Sequence, residues 1–186
     1  MTQNNNLLKQ EAIICLAAGK SQKNLIIKAK SLGYVVVAID KNPNALGFKY
    51  SDVAICKSTY DAEDIIKELN LLNDKYQWKG ILNRSSGIPV IIASKLCKYF
   101  NIPGLPVEVA KKIVNKDQLR IACEEFSIPT PRYQSAIVGK FKAKNKLTFP
   151  LVIKPSLSLV GKSGISIVQD SLQQDKAIAY AEKNTI

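Results

Sequence analysis

The sequence has no histidine among its 186 residues. That removes the side chain most often used as a general acid or base near neutral pH. With it go Ser-His-Asp triads and imidazole-ligated metals within this stretch. Arginine is nearly as scarce: of 27 basic residues only Arg84, Arg120 and Arg132 are arginine, the other 24 being lysine. A net charge of +12 invites a nucleic-acid reading. Base-edge and bidentate phosphate recognition favour arginine, however, and here the lysines are spread out with no aromatic residues interleaved for stacking. Nucleic acid is therefore argued against, and small anionic ligands suit the charge better. A basic interaction protein stays open as an alternative, and a steep salt dependence would be its mark. No Cys-x-x-Cys pair exists among Cys15, Cys56, Cys97 and Cys123. Three of them fall inside apolar runs and read as reduced core thiols of a cytoplasmic protein. No apolar run approaches the ~18–20 residues that span a bilayer. The polar opening "MTQNNNLLKQE" has no basic region leading into an apolar one, so no secretory signal is expected.

What is present is an alternating beat, and 46% apolar residues to build a core. "AIICLA" (12–17) is a short continuous apolar run, the form of a strand covered on both faces. "SQKNLIIKAKSLG" follows at helical spacing, with Gly33 as its stop. "YVVVAID" (34–40) is a β-branched strand and "DVAICK" (52–57) a third. "DAEDIIKELNLLNDKY" opens on acids, which suits a helix N-terminus. "GILNRS" is the fourth strand and "IPVIIASKLCKYFNI" the next helix. Strands alternating with helices demand a parallel sheet, so the fold class is α/β and Rossmann-like over residues 1–105.

After "PGLP" the rhythm changes. "VEVAKKIVNKDQLRIACEEFSIPTPRY" reads as two helical stretches ending at a proline turn. "YQSAIV", a lysine-rich loop, "PLVIKP", a glycine loop, "GISIVQ" and a helix "LQQDKAIAYAEKN" follow. Strands joined by short loops with flanking helices suggest a partial α+β lobe over 106–186.

Two Gly-Lys-Ser triplets resemble the tail of a P-loop, and neither is one. A P-loop places its first glycine five residues earlier, between a strand and a helix. Those positions hold Ile14 and Ser156, and the second triplet leads into a strand. The dinucleotide fingerprint fails as well, since "AAGKSQ" supplies one glycine of three. Asp40 stands about 20 residues after Gly19, where a ribose-binding acid would sit. With the fingerprint absent, a plain strand-end turn is the better explanation of it. In "FPLVIKPSLSLVGKSGISIVQD", Lys154 closes an apolar strand, and a buried strand rarely ends in a lysine without a use for the charge. Ser156, Ser158, Gly161, Ser163 and Gly164 are small enough to bring amides close to phosphate oxygens. A hairpin clamping phosphates and a plain hairpin beside a snorkelling lysine both fit.

Together these segments resemble the ATP-grasp superfamily over nearly the whole chain. "VVVAIDKNPNALGFKYSDVAI" resembles the pre-ATP-grasp domain of carboxylate–amine ligases. "IPGLPVEVAKKIVNKDQLRIACEEFSIPTPRY" is similar to the segment after it, and "FPLVIKPSLSLVGKSGISIV" to the strand lysine and glycine loop of the ATP-grasp lobe. The carbamoyl-phosphate-synthase-like and carboxyaminoimidazole-ribonucleotide-synthase-like branches are the nearest in kind. The resemblance implies that Lys116 and Lys154 hold ATP phosphates, and that Ser158, Gly161, Lys162, Ser163 and Gly164 belong to a loop closing over them. It implies Mg²⁺ bridging the phosphates, an acylphosphate made from a small carboxylate, and attack on it by an amine. Gly19, Asp40, Ser85 and Ser86 would be weaker substrate contacts from the first domain.

Two departures qualify the expectation. Leu157, Leu159 and Val160 are bulky where the family prefers small residues. The Mg²⁺-binding acids and catalytic residues would lie beyond Ile186, so the chain reads as the N-terminal portion of a ligase with no metal ligand of its own. The alternative is a short nucleotide- or metabolite-binding module. The partners expected are small-molecule carboxylate and amine substrates, with a homodimer or a completing C-terminal chain left open and no membrane.

Overall fold

The computed structural model describes residues 8–140, 147–158 and 163–186. They form two compact units, Met1–Val107 and Glu108–Ile186.

In the first unit, strands β1 (Gln10–Leu16), β2 (Val35–Ile39), β3 (Val53–Ile55) and β4 (Tyr76–Asn83) make one parallel sheet in the order β3-β2-β1-β4. Helices α1 (Lys23–Ser31), α2 (Ala62–Asn70) and α3 (Ile88–Tyr99) connect them. Side chains alternate across a strand, so each apolar run feeds two cores. Ile14, Leu16, Val37, Ile39 and Ile55 meet Ile65 and Leu69 of α2 and Ile92 and Leu96 of α3. On the other face, the smaller Cys15, Val36 and Ala38 meet Ile26 and Ala29 of α1. The α/β class expected from the alternation is the one observed.

Boundaries differ in instructive places. Helix α2 stops at Asn70, and β4 starts at Tyr76, four residues before the "GILNRS" expected of it. The cause is a turn over 71–75 pinned by the Trp78 indole, which donates to the Asn73 side chain at 2.7 Å. Of the cysteines, Cys15 and Cys97 are buried, Cys123 is intermediate and Cys56 is exposed, so Cys56 is no core thiol. Burial pushes the Cys15 thiol up to about 12, which makes it inert at neutral pH.

The second unit holds α4 (Val107–Val114, its first residue in the first unit), α5 (Lys116–Glu125), the antiparallel pair β5 (Leu151–Ile153) and β6 (Ser166–Val168), and α6 (Ser171–Lys183). "YQSAIV" forms no strand. Its Ser135 hydroxyl donates to the Asp117 carboxylate instead, and Ile137 and Val138 stay exposed. No helix among the described residues is long and apolar enough to cross a membrane.

Candidate functional site

The second unit places four cationic side chains around a cavity of about 590 Å³. Asn115 caps α5, accepting from the amides of Asp117 and Gln118 at 3.0 and 3.1 Å. Lys116 is thereby fixed as the first residue of the helix. Its backbone amide donates to the Ser156 carbonyl at 2.8 Å, and its ammonium reaches the same oxygen at 3.4 Å. Ser156 lies two residues after Lys154, so this contact brings the two lysines together. Burial, and then the charge of Lys154, hold the Lys116 ammonium below the ordinary lysine value.

Lys116, Arg120, Arg132 and Lys154 all line the cavity, against two carboxylates, Asp117 and Glu182. Asp117 accepts from the Ser135 hydroxyl and Glu182 from the Gly139 amide at 2.8 Å. Arg120 donates to the Thr130 hydroxyl. Among the described residues, neither Lys116 nor Lys154 has an ion-pair partner. A lysine pair without counter-charge is costly unless an anion joins it, and phosphate oxygens are an anion of the right kind. One expectation needs correcting. Lys154 is exposed at the end of a strand whose Val152 is 58% exposed, so desolvation does not mark it. The half-buried ammonium is that of Lys116.

The other residues singled out in the sequence fall in different places. Ser158 is half-buried and does not line the cavity. Ser163 donates its hydroxyl to the Asn184 side chain, and Gly164 has a φ of +76°. Gly161 and Lys162 lie outside the described residues. Sequence reasoning passed over Arg120 and Arg132 as site residues. Their signal was scarcity, since two of the chain's three arginines line this one cavity.

In the first unit, Gly19, Asp40, Ser85 and Ser86 follow the C-terminal ends of β1, β2 and β4. The sheet order reverses between β1 and β4, the position where open α/β sheets bind ligands. Asp40 has a structural task there: its two oxygens accept from the amides of Ala18 and Asn42, at 2.8 and 2.9 Å. Ser85 donates its amide to the Asn83 side chain at 3.0 Å, and Ser86 is exposed. A strap that the sequence reading missed ties the two loops. The Arg84 guanidinium donates to the Ser21 carbonyl at 2.8 Å, and the Gln22 side-chain amide donates to the Arg84 carbonyl at 3.2 Å.

The architecture is thus a parallel α/β unit followed by an α+β unit in which two lysines come together at a cavity. Comparison with known proteins gives it relatives. No family model matches the chain. It is 30% identical over 181 residues to the formate-dependent phosphoribosylglycinamide formyltransferase of Trichormus variabilis, a match spanning 94% of this chain and 44% of that protein. The crystal structure of an L-amino acid ligase from Bacillus licheniformis superposes with a TM-score of 0.68 at 19% identity, over 92% of this chain and 42% of its own. An ADP complex of N5-carboxyaminoimidazole ribonucleotide synthetase gives a TM-score of 0.68 at 16% identity, over 97% of this chain and 48% of its own. These relatives are ATP-grasp proteins, and the chain resembles them over nearly all of its length. It spans about 44% of the length of the curated relative it matches.

Proposed function

We propose that the chain is the part of an ATP-dependent carboxylate–amine ligase that receives the nucleotide phosphates. Lys116 and Lys154 hold those phosphates, and Arg120 and Arg132 add positive charge at the same cavity. A carboxylate oxygen of a small acid attacks the γ-phosphorus, the bond to the bridging oxygen breaks, and ADP leaves. The amine nitrogen then attacks the acyl carbon, loses a proton and expels inorganic phosphate. These residues serve positioning and charge neutralisation, which is most of what phosphoryl transfer asks of a protein.

One observation carries the reading: Lys116 bonds the Ser156 carbonyl, two residues after Lys154, and both lysines line a cavity where, among the described residues, no carboxylate pairs with either. Mg²⁺ would arrive on the phosphates. No group of three or more His, Cys, Asp or Glu side chains able to hold a metal exists among the described residues.

The test is equilibrium binding of Mg-ATP and Mg-ADP to the chain and to its Lys154→Ala and Lys116→Ala variants. Loss of a charge-assisted contact should weaken binding about 10–100-fold. Binding by Lys154→Ala as tight as by the parent would overturn the phosphate assignment.

A further inference from the structure

The glycine loop leaves β5 through Pro155 and returns to β6 through Gly164, and the residues after α6 touch both arms. On the returning arm, the Ser163 hydroxyl donates to Asn184 Oδ1. Asn184 Nδ2 donates onward to the Tyr180 carbonyl at 2.8 Å, which fixes the amide orientation against the last turn of α6. Gly164 sits in the left-handed region. A Cβ there would meet Asn184 Cβ at 2.8 Å and Pro155 Cδ at 3.0 Å, so the backbone is wedged between the outgoing arm and the helix end. On the outgoing arm, the Leu157 carbonyl accepts from the Ile186 amide at 3.3 Å. The last turn of α6 also carries Glu182, which holds the Gly139 amide of the segment lining the cavity.

We infer that Asn184 is a positioning residue for nucleotide binding, holding the returning arm of the glycine loop against Pro155 and so at a fixed distance from Lys154. The inference rests on the phosphate role proposed for that lysine. Asn184 itself does not line the cavity, and it acts through Ser163 and Gly164. Its contribution is preorganisation: Gly164, Pro155 and with them Lys154 are held in place before phosphates arrive, and affinity rises without any added contact.

The experiment combines hydrogen exchange with a double-mutant cycle on the whole chain. Asn184→Ala should speed exchange of the Ser163, Gly164 and Ile165 amides, and Ser163→Ala should do so to a lesser degree. Asn184→Ala should weaken Mg-ADP binding about ten-fold, the worth of a typical hydrogen bond. Ser163→Ala should weaken it less, and the double variant should be no weaker than Asn184→Ala, because the two residues act as one unit. Unchanged exchange at 163–165 in Asn184→Ala overturns the anchor, whatever the nucleotide does. Faster exchange with unchanged Mg-ADP affinity, or effects of the two substitutions that multiply, also overturns it while leaving the ligase reading in place. Lys154→Ala binding as tightly as the parent is a different failure, of the phosphate assignment, and it removes the point of reference from which Asn184 is said to position the loop.

Discussion

The two units of this chain are built on opposite principles. The first surrounds a four-stranded sheet with helices and completely buries Ile14, Leu16, Val37, Ile39, Ile65, Leu69 and Leu96. In the second, the buried apolar side chains among the described residues are Ala110, Val168, Ala177 and Ala181, while Val152 and Ile167 stand 58% and 68% exposed on the β5–β6 pair. The first unit spends its polar groups on structure. Asp40 and Asp52 both accept from backbone amides, and Asp52 also pairs with Lys30 at 2.7 Å. In the second, cations line a cavity, and among the described residues Val168 is the largest buried apolar side chain. Apolar burial and cavity-lining charge are thus concentrated in different units, and substitutions should separate along the same line.

The largest effect should come from the first unit. Leu16→Ala removes a fully buried side chain from the larger core and should cost about 2–5 kcal/mol. Urea denaturation followed by the Trp78 fluorescence would measure it. A loss below about 1 kcal/mol would break the comparison, because that core would not then be the main store of stability. Lys154→Ala should do the reverse, weakening Mg-ATP about 10–100-fold while the unfolding midpoint of the first unit stays in place. Asp40→Ala sharpens the contrast from the other side. It orphans the amide of Ala18, whose residue is fully buried, and should destabilise the first unit by about 1–3 kcal/mol with no change in nucleotide affinity. A loss of affinity in that variant would make Asp40 a ligand residue after all.

The smallest effect is a titration. Because burial and Lys154 lower the Lys116 value, the unfolded chain holds a proton at this site over a range of pH where the folded chain has released it. Stability of the second unit therefore rises as pH climbs from the lowered value towards the ordinary one near ~10.4. In Lys154→Ala the Lys116 side chain, followed by NMR, should titrate higher than in the parent. It should still fall short of the ordinary value, since burial is the larger cause. A Lys116 titration unmoved by that substitution would mean that the two ammonium groups do not sense one another.

The contrast between the units also explains what could be read in the sequence. Strands such as "YVVVAID" announce themselves because a sheet covered on both faces needs an unbroken apolar run. The capped starts of α2 and α5 are equally local, with Asp61 and Asn115 each accepting from amides just inside the helix. In the second unit, position depends on contacts distant in the chain. The meeting of Lys116 with Lys154 follows from a bond to Ser156, and family resemblance, not spacing, pointed to that pair. "YQSAIV" has the composition of a strand, but Ser135 bonds Asp117, and no strand among the described residues pairs with the segment. Lys154 drew attention for a burial it does not have, and Arg120 and Arg132 were passed over although they line the same cavity. Local chemistry is legible in a sequence, whereas convergence of distant charges is not.

The Ser156 carbonyl has a consequence of its own. It takes two donors from one residue, the amide of Lys116 at 2.8 Å and its ammonium at 3.4 Å. A carbonyl oxygen has two lone pairs, so losing the longer contact leaves it still satisfied. The Lys116 side chain therefore has a resting place that it can leave without orphaning anything behind it. A phosphate bound there, as proposed, would exchange one acceptor for a stronger one, while the backbone bond would keep the helix start where it was. The residue is moored by its main chain, and its charge is free to turn.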